Sequence, residues 1–260
     1  MATTIIHVPH ASTEIPASER RAIVLSDAEL SDELVRMTDW YTDELFDLPE
    51  KRAESIRFPV SRLVLDPERF VDDQNEPMAA RGMGAIYTRT STGHTLRQEL
   101  TLAERQRLLG LYYWPHHEKL ECAIASALCE QGFCLIIDAH SFSSTPLPHE
   151  TDQHPGRPDI CVGTDEFHTP AGLLERAISD IRSQGFSVAV NRPFSGSLVP
   201  GKFYKKDRRV GSIMLEINRT LYLDEHTGCK QLCFDEFCRR WKRVVAQIID
   251  GATSSISHPP

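Results

Sequence analysis

Residues 135–142 read LIIDAHSF, and with Cys134 before them they form an apolar run that passes directly into Asp138, His140 and Ser141. A short aliphatic run bounded by turn-formers is the pattern of a buried strand. In open α/β sheets ligands collect beyond the carboxyl ends of the strands, so an acid and an imidazole at that place point to chemistry. The plainer account is that strands must stop somewhere, and Asp and Ser are ordinary turn residues.

Working outward from this run, the pattern predicts strands at 3–9, 55–60, 134–138, 159–163, 187–190 and 211–218. Amphipathic segments separate them, which is the signature of a layered α/β domain. Ser26 with Glu29 and Thr101 with Glu104 have capping-box spacing, and Thr169 before Pro170 reads as an N-cap followed by proline at the first helical position. Gly185 and Gly251 mark helix stops. Leu108, Leu111, Leu120, Ile124 and Leu128 continue the Thr101 helix toward Gln131, with a kink or break expected at Pro115. Residues 72–97 and 141–158 read as long loops of the kind that form lids or binding loops. One domain is expected over 1–253, with a frayed tail at 254–260.

The 260 residues are 40% hydrophobic and 25% charged, ordinary values for a globular protein. The net charge of −8, with no basic stripe, argues against nucleic acid or an anionic membrane as partner; Lys205, Lys206, Arg208 and Arg209 read as a solvated face. No apolar run reaches membrane-span length and no signal-type segment opens the chain, so a cytoplasmic location is expected. Seven cysteines without a Cys-x-x-Cys pair exclude a disulfide framework and a thiolate zinc knuckle; Cys229 and Cys233 read as small buried hydrophobes on one helix. The oligomeric state leaves no mark in the sequence.

The polar residues at predicted strand ends are His10, Asp138 with His140, and Glu216 among Ile213, Met214, Leu215 and Ile217. Two histidines and a carboxylate drawn from distant parts of a chain are what a catalytic zinc needs, with one position left for water. Glu14, Asp39 and Asp138 compete for the third ligand position, and spacing does not rank them. Asp138 is equally suited to orienting an imidazole from behind. A buried Glu216 needs either an arginine partner, Arg219 or Arg62, or a role as a general base with a raised pKa. In SRLVLDPERF, residues 61–70, Arg62, Asp66 and Arg69 form either an ion-pair network or a donor fork for a substrate carboxylate. His116, His117, His149 and His154 stay outside the metal set, with His117 the one expected to support the site from behind.

In order, the chain carries VPHAS, TDWYTDELF, SRLVLDPERF, YYWPHHEKL, DAHSF and LEINRTLYLDE. This series resembles the N-formylglutamate amidohydrolase (deformylase) family, related to the zinc carboxypeptidases and to the succinylglutamate desuccinylase and aspartoacylase group. The resemblance covers roughly residues 5–225. It implies a three-layer α/β/α fold with a mixed central sheet, carboxypeptidase-like (phosphorylase/hydrolase-like), and one Zn2+ held by His10, Asp39 and His140. It further implies Glu216 as the group that activates water, and Arg62 and Arg69 as anchors for a carboxylate-bearing small molecule such as N-formylglutamate. Short peptides or peptidoglycan fragments are the alternative substrates, and a metabolite-binding, non-catalytic member is the alternative outside catalysis. Two positions depart from the family pattern: Glu68 stands before Arg69 where Asn is usual, and Tyr41 where many members have His.

Overall fold

β1 (Thr4–Val8) is buried throughout and pairs on one side with β2 (Glu54–Arg57) and on the other with β3 (Cys134–Phe142). The computed structural model describes residues 3–256 of the chain. With β4 (Ile160–Gly163), β5 (Val188–Val190) and β6 (Val210–Asn218) the strands form one six-stranded sheet in the order β2-β1-β3-β6-β4-β5. β2, β1, β3 and β6 run parallel, β4 is antiparallel to β6, and β5 is parallel to β4, so the sheet is mixed, as expected. Each of the six predicted segments is a strand.

Helices cover both faces. They are α1 (Ala17–Arg20), α2 (Asp27–Met37), α3 (Thr42–Leu45), α4 (Leu102–Leu108), α5 (Trp114–Gln131), α6 (Ala171–Ser183) and α7 (Phe234–Ile256). Side chains alternate across a strand, and the alternation sorts the core. Ile6, Val8, Leu135, Ile137, Ala139, Ile213, Leu215 and Ile217 pack with residues of α3, α6 and α7, including the fully buried Trp241. On the other face Ile5, Cys134, Ile136 and Val210 pack against Leu120, Ile124, Ala127 and Leu128 of α5. Burying each aliphatic side chain here stabilises the fold by about 1.5–3 kcal/mol.

Both predicted capping boxes are present, at Ser26 with Glu29 and at Thr101 with Glu104. Several boundaries differ from expectation. β3 continues to Phe142 because its ladder with β6 runs on to Asn218, so Ser141 lies inside a strand and is not the turn that ends it. The 101–131 helix is interrupted by a turn of π-helix at Leu109–Tyr113, and Pro115 sits in the first turn of α5, where its missing N–H costs nothing. Thr169 does not cap α6: Pro170 holds that position, and the Thr169 hydroxyl donates to the Ser212 carbonyl at 2.6 Å. Gly251 lies within α7, where a Cβ would stand 3.0 Å from Arg176 Cγ, so it is not a helix stop. α7 also carries the backbone helical to Ile256 across the first part of the expected frayed tail; 257–260 lie outside the described residues. Cys229 and Cys233 precede α7 and are exposed, which corrects their reading as buried helix residues. Among the described residues no helix is long and apolar enough to cross a membrane.

Candidate active site

Strand phase builds the site. In β3 Asp138, His140 and Phe142 share the face of Cys134 and Ile136, and in β6 Glu216 shares the face of Val210. The register sets His7 beside Asp138 and His140 beside Glu216 on neighbouring strands. α5 packs on the first half of this face; over the second half opens a cavity of about 850 Å3 lined by His10, Asp39, Glu68, Asp138, His140 and Glu216 among others. Asp138, His140 and Glu216 therefore project from the sheet face within their strands, whereas His10 follows the tip of β1 as expected and Asp39 and Glu68 come from loops.

The rings of His10 and His140 lie 5.1 Å apart. Asp39 Oδ2 sits 3.0 Å from His140 Nδ1 and 3.5 Å from His10 Nδ1. The opposite ring nitrogens face other carboxylates: His10 Nε2 is 2.9 Å from Asp66 Oδ1, and His140 Nε2 is 3.2 Å from Asp138 Oδ1 and 3.3 Å from Glu68 Oε2. His10, Glu68 and His140 bring one donor atom each within 4.8 Å of one another, and so do His7, Glu68 and Asp138. Both trios have the donors a metal ion takes. Several buried atoms here have no hydrogen-bond partner among the described residues: His10 Nδ1, His140 Nε2, Glu68 Oε1 and Glu216 Oε2. Buried polar atoms without partners are costly, and a cation between them offsets that cost.

Electrostatics agree with a cation-seeking site. Burial pulls His140 down, but Glu68, Asp138 and Asp39 around it hold its pKa well above the ordinary value. His10 is also raised: burial and Arg62 oppose, and Asp66 and Asp39 prevail. Burial pushes the carboxyls of Asp39 and Asp138 up, yet the imidazoles beside each carry both well below the usual range. Glu216 differs. Burial raises its pKa to about 8, with Asp39 and Glu68 adding to the rise against His140 and Arg219.

The expected arginine partners of Glu216 are engaged elsewhere. Arg219 donates to Asp39 Oδ1 at 3.0 Å, to the Arg36 carbonyl at 2.7 Å and to the Ser141 carbonyl at 3.2 Å. Arg62 donates to Asp66 Oδ2 at 2.8 Å and to the Tyr87 hydroxyl at 3.2 Å. Arg69 lines the cavity with a buried Nε that makes no hydrogen bond among the described residues; it is ion-paired with Asp66 at 3.7 Å, and its Nη1 with Glu76 at 3.6 Å. His117 lines the cavity and its Nε2 is 2.8 Å from the Pro67 carbonyl. Glu14 is exposed and does not line the cavity, so it stands away from the imidazoles. The departure at Tyr41 also falls outside the cavity lining, since its hydroxyl donates to the Gly228 carbonyl; the departure at Glu68 falls at the centre of the site.

Sequence reasoning missed several members. Asp66 appeared only within a possible ion-pair network, yet it is fully buried and joins His10, Arg62 and the Tyr87 hydroxyl at 2.5 Å. His7 Nδ1 is 2.9 Å from Asp138 Oδ1 and its Nε2 is 2.9 Å from His116 Nε2. One signal for His7 existed: it interrupts an aliphatic strand two residues from Ile5, on the same face. Tyr87 gave none, because it comes from a loop.

The chain matches the family model described as N-formylglutamate amidohydrolase over residues 2–223. The chain belongs to that family. The N-formylglutamate deformylase of Pseudomonas aeruginosa is 28% identical over 229 residues, covering 85% of this chain and 82% of the relative. That of Pseudomonas putida is 26% identical with the same coverage. The crystal structure of N-formylglutamate amidohydrolase from Ralstonia eutropha JMP134 superposes with a TM-score of 0.84 over 96% of this chain and 93% of that one, at 23% identity, and shares the fold. The chain is thus an enzyme of the hydrolase class acting on a non-peptide amide bond.

Proposed function

We propose that this amidohydrolase cleaves the N-acyl amide of an acidic amino acid such as N-formylglutamate, with zinc held by His10, Asp39 and His140. The names of the relatives support the substrate. One observation carries the chemistry: a buried, unpartnered Glu216 carboxyl stands on the strand next to His140, within one cavity. Such a carboxyl has no packing role that an apolar residue would not fill better.

Two carboxylates offer a third ligand, from opposite edges of the imidazoles. Asp39 approaches both Nδ1 atoms and Glu68 both Nε2 atoms. Asp66 engages His10 Nε2, and Asp138 stands beside His140 Nε2. For His10 that arrangement matches an imidazole held by a carboxylate at the nitrogen away from a metal, with Nδ1 left toward Asp39; at His140 the unpartnered nitrogen is Nε2, toward Glu68, so Glu68 competes with Asp39 for the third position. When bound, zinc supplies Lewis acidity that lowers the pKa of water and polarises the acyl carbonyl.

Glu216, with a pKa of about 8, takes a proton from water at Oε2 and returns it to the nitrogen of the departing amino acid. Arg69, free of hydrogen bonds at Nε, receives the substrate carboxylate, and the committed guanidinium of Arg62 adds positive charge beside it. Holding the carboxylate fixes the scissile amide over Glu216. Asp138 and His117 support the site from behind.

Metal analysis with a deformylase assay tests the proposal. Glu216→Gln is expected to keep its metal and circular dichroism and to lose roughly 10²–10⁴-fold in kcat. An unchanged kcat in that variant overturns the assignment of the base. A wild-type protein that binds no zinc and stays inert after zinc is added overturns the metal.

A further inference from the structure

The cavity is larger and more apolar than removal of a formyl group requires. Its volume of about 850 Å3 lies toward the upper end of the roughly 300–1,000 Å3 typical of pockets for drug-sized ligands, whereas N-formylglutamate has only about a dozen non-hydrogen atoms. Three aromatic side chains that line it remain in water: Phe70 is 60% exposed, Trp114 54% and Tyr204 37%.

Two of these aromatics, Phe70 and Trp114, adjoin Arg69. Phe70 follows Arg69 directly in the chain. Trp114 packs edge-on against Tyr113 with ring centroids 4.9 Å apart, and the Tyr113 hydroxyl donates to the Arg69 carbonyl at 3.2 Å. Trp114, Glu118 and Glu121 all line the cavity from α5, so this wall runs about 10 Å along the helix at about 1.5 Å per residue. Tyr204 lines it from another segment and is held by stacking on His168 at 5.8 Å. Exposed aromatic surface continuous with a catalytic cavity is surface that a ligand covers.

We propose that this outer part of the cavity is a subsite for an aromatic group on the amino-acid side of the substrate. The enzyme then also deformylates N-formyl dipeptides in which an acidic residue is followed by an aromatic one. Water's hydroxyl adds to the formyl carbon, the formyl C–N bond breaks, and the nitrogen leaves with a proton, giving formate and the free dipeptide. The inference rests on the amidohydrolase reading above.

The test compares kcat/KM of the zinc-loaded full chain on N-formylglutamate, N-formyl-glutamyl-phenylalanine, N-formyl-glutamyl-glycine and N-benzoylglutamate. The phenylalanine dipeptide is expected to exceed the glycine dipeptide by about 10-fold or more, as covering a ring predicts. Trp114→Ala is expected to bring that ratio close to one, and Phe70→Ala serves if the first variant does not fold. A ratio near one in the wild type, or one unchanged in both variants, overturns the subsite. Preference for N-benzoylglutamate over every formyl substrate overturns its placement on the amino-acid side. Turnover of N-formylglutamate alone rejects the inference and leaves the amidohydrolase reading standing, whereas no turnover of any of the four rejects both.

Discussion

Gly163→Ala tests whether the cavity wall is fixed by a backbone contact behind it. Gly163 ends β4 beside Met214 of β6, and a Cβ built there falls 2.2 Å from the Gly196 carbonyl oxygen, 2.4 Å from Met214 Cε and 3.0 Å from Met214 Cβ. Met214 Cε is the end of a flexible chain and swings away at little cost. The carbonyl has no such freedom. A normal carbon–oxygen contact exceeds about 3 Å, so the backbone at Gly196 must retreat by about 1 Å. Residues 194–201 line the cavity, and Leu198 N donates to Asp138 Oδ2 at 3.0 Å. Overpacking costs about 1–3 kcal/mol, and loss of a hydrogen bond to an ionised carboxylate adds about 1.5–3 kcal/mol. A loss of roughly 2.5–6 kcal/mol lowers Tm by about 5–24 °C in a domain of this size. Because the moved segment lines the cavity, kcat/KM should fall by more than about 10-fold even in the folded fraction. Calorimetry and steady-state kinetics on the same preparation read both. A variant within about 1 °C of wild type and with unchanged kcat/KM would falsify the close approach.

Three further outcomes follow from the site and its supports. Asp39→Asn is expected to weaken zinc binding by more than about 10-fold in equilibrium dialysis, and Glu68→Gln to leave it within a few-fold; the opposite order would make Glu68 the ligand. Arg219→Met strips the buried Asp39 of its guanidinium, so urea unfolding should show a loss of about 3–5 kcal/mol, which Arg219→Lys recovers only in part because an ammonium lacks the fork; a loss below about 1 kcal/mol would mean Asp39 does not depend on this pair. His116 is 5% exposed, and burial holds its pKa near about 2, so it stays neutral in the folded protein while the unfolded chain takes up its proton near the ordinary value of 6.5. Its contribution is complete above pH 6.5 and is lost as pH falls toward 2, at up to about 1.4 kcal/mol per pH unit. Urea midpoints at pH 7, 6 and 5 should fall in that order, and His116→Gln should flatten the slope; an identical slope in the variant rejects His116 as its source.

The sheet was legible because its central strands are short, largely aliphatic runs and each long helix face repeats at helical spacing; the edge strand β2, Glu-Ser-Ile-Arg, is the exception. Ends were less legible. Where β3 stops depends on how far β6 accompanies it, and β6 lies some seventy residues on. Trp241 and Phe46 meet edge-on at 5.6 Å from opposite parts of the chain, a packing choice that no local pattern encodes. In the site, His10, His140 and Glu216 were visible as polar residues beside aliphatic strands. The roles of Asp66, Tyr87 and Arg219 were not, since each acts on a residue far along the chain: Arg219 reaches Asp39 across 180 positions.

The alternation of a single strand explains both the success and the error at 135–142. Reading Asp138 and His140 as a strand's polar ending identified them as chemical groups but gave them the wrong direction, outward past a tip. Within β3 they fall on the face whose earlier positions, Cys134 and Ile136, pack beneath α5. One face thus changes from core to cavity floor where the helix cover gives way, and the neighbouring strands change with it: β1 from Ile5 to His7, and β6 from Val210 to Glu216. The reverse face stays aliphatic through Ala139 and Leu215. Moving His140 by one residue would put the imidazole among Trp241 and its neighbours. The floor therefore inherits its rigidity from hydrogen-bonded ladders, which is what the proposed roles of His140 and Glu216 require.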